Sequence, residues 1–150
     1  MQLQRIGRAA LAGSAGAAAL TTLHERIRKL SPGAPRMDIV AMRGIARLLT
    51  RLDVRIPSNR VLHRLALAGD LLANSAYYAA VAYGRAERAP LRGAVLGTLA
   101  GLGALVLPRR IGLGEPPFSA EQRNRVMTVG WYLVGGVVAG CVHWLLERRR

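Results

Sequence analysis

The run VMTVGWYLVGGVVAGCVHWLL, residues 126–146, holds 21 consecutive residues without a formal charge. At about 1.5 Å of rise per residue, a helix of that length crosses a hydrocarbon core of about 30 Å. Arg125 and Arg148 to Arg150 bracket it, so the run predicts a membrane-spanning helix. Three more apolar runs precede it, at roughly 6–23, 65–83 and 91–107. The first and third reach full length when Arg5, Arg8 and Arg92 extend their stems toward an interface. The second contains Asp70 and Asn74. An Asp at a helix centre costs about 2.5–3.5 kcal/mol and each Leu or Val returns about 0.3–0.6 kcal/mol, so this run inserts with help from its neighbours.

The third run, GAVLGTLAGLGALVLP, explains what its glycines are for. In water an interior glycine costs a helix about 0.8–1 kcal/mol relative to alanine. In a bilayer small residues let helices approach closely. Gly93, Gly97 and Gly101 fall four apart on one face, and Gly136 and Gly140 repeat that step in the last run. The two glycine faces are natural partners.

Charge agrees with this reading. The chain carries 22 Lys and Arg against 8 Asp and Glu, a net charge of +14, yet 51% of its 150 residues are hydrophobic. A soluble nucleic-acid-binding protein is the competing class for so basic a chain. Such a protein sets its cations along a face, with aromatic stacking partners. Here only seven residues are aromatic and the cations cluster at the ends of apolar runs, so no nucleic acid is expected as a partner. Arg5, Arg8 and the small residues after them also resemble a secretory signal with a cleavage site near Ala15 to Ala19, but the run continues to Leu23 and its pattern recurs. A lone cysteine, Cys141, excludes an intramolecular disulfide, and no spacing suits a zinc site.

Between the first two runs lies MDIVAMRGIARLLTRL, residues 37–52. Arg43, Arg47 and Arg51 repeat at four-residue steps, and Ile39, Met42, Ile45, Ala46, Leu49 and Leu52 take the broad opposite side. Such a helix either meets lipid phosphates at the membrane surface or packs on the bundle end. Internal repetition is suggested by two matches: RIRKLSP with RIGLGEP, and Asn59-Arg60-Val61 with Asn124-Arg125-Val126. The chain would then be a duplicated helical hairpin with halves 1–84 and 85–150, arranged as parallel repeats. The ends and the 84–92 turn carry 8 Lys and Arg, the other two loops 14. Counted by the positive-inside rule, both termini lie outside.

Chemistry concentrates at Asp70, the one carboxylate well inside a run. An intramembrane acid is a functional candidate by default. Asn74 one turn later, Tyr77 and Tyr78 beyond it, and His63 two turns before complete a polar set for a proton or small-ligand relay. The structural alternative is a buried interhelical hydrogen-bond cluster. His24 and His143, near the ends of the first and last runs, are candidates for pigment or metal ligation, with an interfacial structural role as the alternative. No nucleophile elbow, phosphate-binding loop or paired catalytic carboxylates occur, so neither enzyme activity nor a cofactor or metal is expected. GLGEPP, residues 112–117, reads as a rigid turn returning the chain to the bundle.

The order of a small-residue run, then HERIRKLSPGAPRMD, LHRLALAGD, RGAVLGTLAGLGALVLPRRIGLGEPP and a tryptophan-bearing last helix ending in arginines resembles the YagU-like bacterial inner-membrane proteins. The shared features fall on Pro32, Pro35 and Arg36 and on Gly112, Leu113, Pro116 and Pro117. The sequence departs from that pattern in the low aromatic content of the second run and in Thr128, where a histidine is expected. The resemblance implies an inner-membrane location and a link to acid tolerance.

The expectation is therefore an all-α integral membrane bundle in one domain, 1–150, with four transmembrane helices and one basic amphipathic interfacial helix, in contact with anionic headgroups. Its role is expected to be non-enzymatic: self-association, or binding of another membrane protein, through the glycine faces. Proton-linked or small-solute transport through Asp70 and His63 is the second reading.

Overall fold

The computed structural model describes residues 2–148; Arg149 and Arg150, the last of the terminal arginines, lie outside it. Every regular element among the described residues is helical: α1 (Gln2–Leu30), α2 (Met37–Arg51), α3 (Asn59–Tyr78), α4 (Ala89–Arg110) and α5 (Gln122–Arg148), with 3-10 turns at Ala79–Ala82 and Ala86–Arg88. Prolines punctuate the chain. Pro32 and Pro35 follow α1, Pro57 precedes α3 and Pro90 sits in the first turn of α4, where its missing N–H leaves no helical bond unmade. At the end of α4 the Leu113 N–H donates to Pro108 O at 2.8 Å and the Gly112 N–H to Arg109 O at 3.2 Å. Gly112 takes φ +78° to make this Schellman closure.

Helix α5 is central, with α1 and α4 packed antiparallel on either side of it. Arg8 Nη1 meets Glu147 Oε1 at 3.0 Å, joining the start of α1 to the end of α5. Gly16 lies against Gly135 and Ala139, and His24 against Trp131. On the other flank Gly93 faces Gly136, Gly97 faces Tyr132, Gly101 faces Val129 and Gly140 faces Ala89. Helix α3 runs antiparallel to α1, and α2 lies across the end where α1 and α4 finish and α3 and α5 begin. The pairs α1/α3 and α4/α5 run the same way round, and RIRKLSP and RIGLGEP both lie at the α2 end. Their packing is unequal, because α1 rests chiefly on α5.

The expectation of four long apolar helices requires correction. Two helical stretches, Ala86–Arg110 and Gln122–Arg148, are long and apolar enough to cross a membrane. The runs 6–23 and 65–83 fall inside α1 and α3. The first owes its length to alanine and glycine, which contribute little hydropathy, and the second carries Asp70 and is preceded in α3 by Arg60, His63 and Arg64.

The distribution of side-chain size across the bundle is inverted relative to a water-soluble core. On α1, α4 and α5 most buried positions are small: Ala12, Gly13, Gly16 and Ala17 on α1, Gly93, Gly97 and Gly101 on α4, and Gly135, Gly136, Ala139 and Gly140 on α5, with Leu20, His24, Trp131 and His143 as the larger exceptions. Large apolar side chains face outward, among them Leu72 (71% exposed), Leu91 (66%), Leu99 (57%) and Val126 (62%).

Candidate functional site

Asp70 and Asn74 sit one turn apart on the inner side of α3, and Asn74 Nδ2 donates to Asp70 Oδ1 at 3.0 Å. The next turn supplies two tyrosines with different duties. Tyr78 is fully buried and its O–H donates to Tyr132 O at 2.8 Å, tying α3 to α5. The Tyr77 O–H donates to Leu96 O at 3.0 Å, tying α3 to α4.

His63 does not join this group. Its Nδ1 lies 3.6 Å from Oδ2 of Asp38, so its near acidic partner is Asp38 and not Asp70. Seven residues of helix separate His63 and Asp70 by about 10 Å, and Asp38 of α2 borders the same narrow cavity as Asp70. Asp38, in the first turn of α2, has a side chain with 0% exposure. Arg36 grips it with both arms of its guanidinium, Nε to Oδ1 and Nη2 to Oδ2, each at 2.8 Å. Burial pulls the Asp38 carboxyl up, but the hydrogen bonds and charge of Arg36 outweigh it and hold the group below the ordinary carboxylate value. His24, buried at the end of α1, stands with its ring 5.0 Å from that of Trp131 and its Nε2 3.2 Å from Pro35 O.

These groups meet around two openings. A narrow cavity of about 20 Å³ is bounded by His24, Asp38, Asp70, Trp131 and Tyr132 among others, enough for one water. A groove of about 540 Å³ runs between α3 and α4 under α2, with Asp70, Asn74 and Tyr77 on one wall, Leu99, Gly103, Ala104 and Leu107 on the other and Tyr132 behind. Asp70, Tyr132, Met37 and Ala41 border both. The acid therefore stands at the junction of a polar cavity and an apolar groove. Its one hydrogen bond among the described residues is to Asn74, and no ion pair reaches it.

Two arginines of α2, expected as lipid-phosphate contacts, also bond within the chain. Arg43 Nη1 donates to Leu113 O at 3.2 Å and Glu115 O at 3.1 Å, and Arg47 Nη1 to Ile111 O at 2.9 Å. The reason is the turn after α4: its outward carbonyls have no helical partner, and guanidinium groups satisfy them. Helix α2 packs on the bundle end, and Arg43, Arg47 and Arg51 are all exposed. The glycine faces are likewise spent inside the chain. A Cβ on Gly93 would strike Gly136 O, one on Gly136 would strike Gly93 O, and one on Gly101 would come within 2.7 Å of Val129 Cα. Gly97 and Gly140 are equally closed, against Tyr132 O and Ala89 O, so these faces are not open to a second copy.

His24 and His143 lie at opposite ends of the bundle. Trp131, beside His24, is twelve residues from His143 along α5, about 18 Å, so one group cannot bridge them. Among the described residues no cluster of three His, Cys, Asp or Glu is placed to hold a metal.

Compared with protein families, curated proteins and solved structures, the chain matches none. The site rests on its own geometry.

Sequence reasoning missed Asp38 and Tyr132. A signal for Asp38 was present: residues 38, 42, 45 and 49 share one helical face, so the acid stands in register with the apolar side of α2. Tyr132 carried none, being one aromatic in an apolar run.

Proposed function

We propose that this chain is a non-enzymatic, multi-pass protein of a bacterial inner membrane, in which a polar site centred on Asp70 serves proton-linked or small-solute passage. In this reading α1 and α3, less apolar than α4 and α5, are carried into the bilayer by the packing of α1 along α5 and of α3 along α1. Support for the membrane comes from the inverted core: large apolar side chains need an apolar solvent, and small ones allow helices to close on each other without a hydrophobic drive. The inner membrane and the acid-tolerance link rest on the YagU-like resemblance alone.

The observation that carries the transport reading is the position of Asp70 between cavity and groove. The titratable groups facing it are His24 from α1, Asp38 from α2 and Tyr132 from α5; the stretch of α4 along the groove offers none. An acid that borders an apolar groove without an ion-pair partner among the described residues exchanges a proton or accepts a cation, because an unpaired carboxylate is costly there. Self-association through the glycine faces is the weaker reading, since those faces are filled.

Two experiments test this. In cells, the protein should remain in carbonate-washed membranes, with reporters fused to the carboxyl terminus and to the 36–60 loop on opposite sides; release into the soluble fraction would refute the membrane reading. In proteoliposomes carrying a pH-sensitive dye, Asp70→Asn should abolish proton movement while helicity is retained. Unchanged movement would remove Asp70 from any relay.

A further inference from the structure

We infer that the groove between α3 and α4 binds a lipophilic monocation, an ammonium or phosphonium with apolar substituents, whose charge rests against Asp70. This inference deepens the transport reading and rests on it.

The chemistry of the walls narrows the ligand. Asp70 offers a carboxylate whose Oδ1 accepts from Asn74, leaving acceptor capacity on Oδ2. Asn74 gives an N–H to Asp70 and keeps its amide oxygen as a further acceptor. The Tyr77 O–H is committed to Leu96 O, so that residue brings a ring and no free hydroxyl proton. Tyr132 contributes a second ring. Acceptors plus aromatic rings suit a cation, through ion pairing and cation–π attraction. An anion would meet a carboxylate with no compensating arginine, because no Lys or Arg borders the groove. The chain's +14 charge does not alter this: its cations stand at helix ends and loops, and Arg43 and Arg47 are turned onto the 111–115 carbonyls.

Size and access fit as well. A volume of about 540 Å³ lies within the range of about 300–1,000 Å³ typical of small-molecule sites. Helices α3 and α4 touch little along this stretch, so the groove opens sideways, toward lipid in the membrane reading. An apolar cation dissolved in the bilayer would enter there without crossing water.

Gly103 supplies a variant that does not disturb Asp70. It borders the groove, and a Cβ there would meet nothing nearer than Leu107 Cδ1 at 3.4 Å. Gly103→Leu therefore fills the groove without forcing α4 from α5.

The test uses the full chain in phosphatidylcholine liposomes. Binding of benzyltrimethylammonium and of tetraphenylphosphonium, a slim and a bulky cation, is measured by equilibrium dialysis against protein-free liposomes. Saturable binding of at least one is expected, weakened at least tenfold by Asp70→Asn and by Gly103→Leu with helicity unchanged, while tetraphenylborate shows none. If Asp70→Asn does not fold, Gly103→Leu carries the test alone. No saturable binding of either cation, or full binding by the filled variant, overturns the proposal. If cation binding fails while Asp70→Asn still abolishes proton movement, the ligand class is wrong and the transport reading stands. If proton movement is indifferent to Asp70, the transport reading falls whatever binds.

Discussion

Helix α4 meets α5 backbone to backbone, whereas toward α3 the same helix is held by the Tyr77 bond to Leu96 O and stands off far enough to leave a groove of about 540 Å³. Both sides are rich in small residues. Gly93, Gly97 and Gly101 face α5, and Ala100, Gly103 and Ala104 face the groove. Small side chains permit close approach without compelling it. What closes the α5 side is a matching row, Gly136 and Gly140, on the opposite helix. Across the groove stand Asp70, Asn74 and Tyr77, which are too large and too polar to interleave with α4.

The strongest way to break this comparison is to put bulk on the tight side. Gly93→Leu drives a side chain into the Gly136 carbonyl and should cost about 3 kcal/mol or more, the upper part of the overpacking range. Thermal unfolding in detergent should show a large loss or no folded protein. A change near zero would mean that α4 and α5 are not in backbone contact.

A smaller effect is expected from the polar side, where Asp38 joins α2 to the bundle. Asp38→Asn removes the charge that Arg36 holds through two bonds and should cost about 2 kcal/mol, as for hydrogen bonds to charged groups. The sign of its pH dependence follows from the lowered Asp38 value. Because the folded group titrates below the unfolded value of about 3.9, its stabilisation is fully present above that value. It is lost as pH falls through the folded value. Denaturation profiles at pH 6 and pH 3 should differ more for the native chain than for Asp38→Asn; equal differences would place the acid lability elsewhere.

The smallest effect sharpens the contrast among glycines of a single helix. Gly130 lies in α5 like Gly136, but a Cβ there would meet nothing within 4 Å. Gly130→Ala should stabilise by up to about 1 kcal/mol through helix propensity. Marked destabilisation would mean that the Gly130 face is covered.

The helical class, the breaks near Pro32 and Gly112, the amphipathic α2 and the two most apolar helices were legible along the chain, because turn chemistry and hydropathy are properties of residues close in sequence. Asp70 and Asn74 were legible as a pair for the same reason, being one turn apart. The partners of His63, Arg43 and Arg47 were not: one loop separates His63 from the helix of Asp38, and two helices with their turns separate the arginines from the 111–115 carbonyls, and no local pattern fixes the path of those connections. Spacing marked the glycine rows as contact faces, but whether they meet within one chain or between two copies depends on the hairpin between α4 and α5. The groove belongs wholly to the tertiary structure. It exists because α3 leans on α1 and α2 and leaves the groove side of α4 uncovered, an outcome of packing among four helices that no single helix encodes.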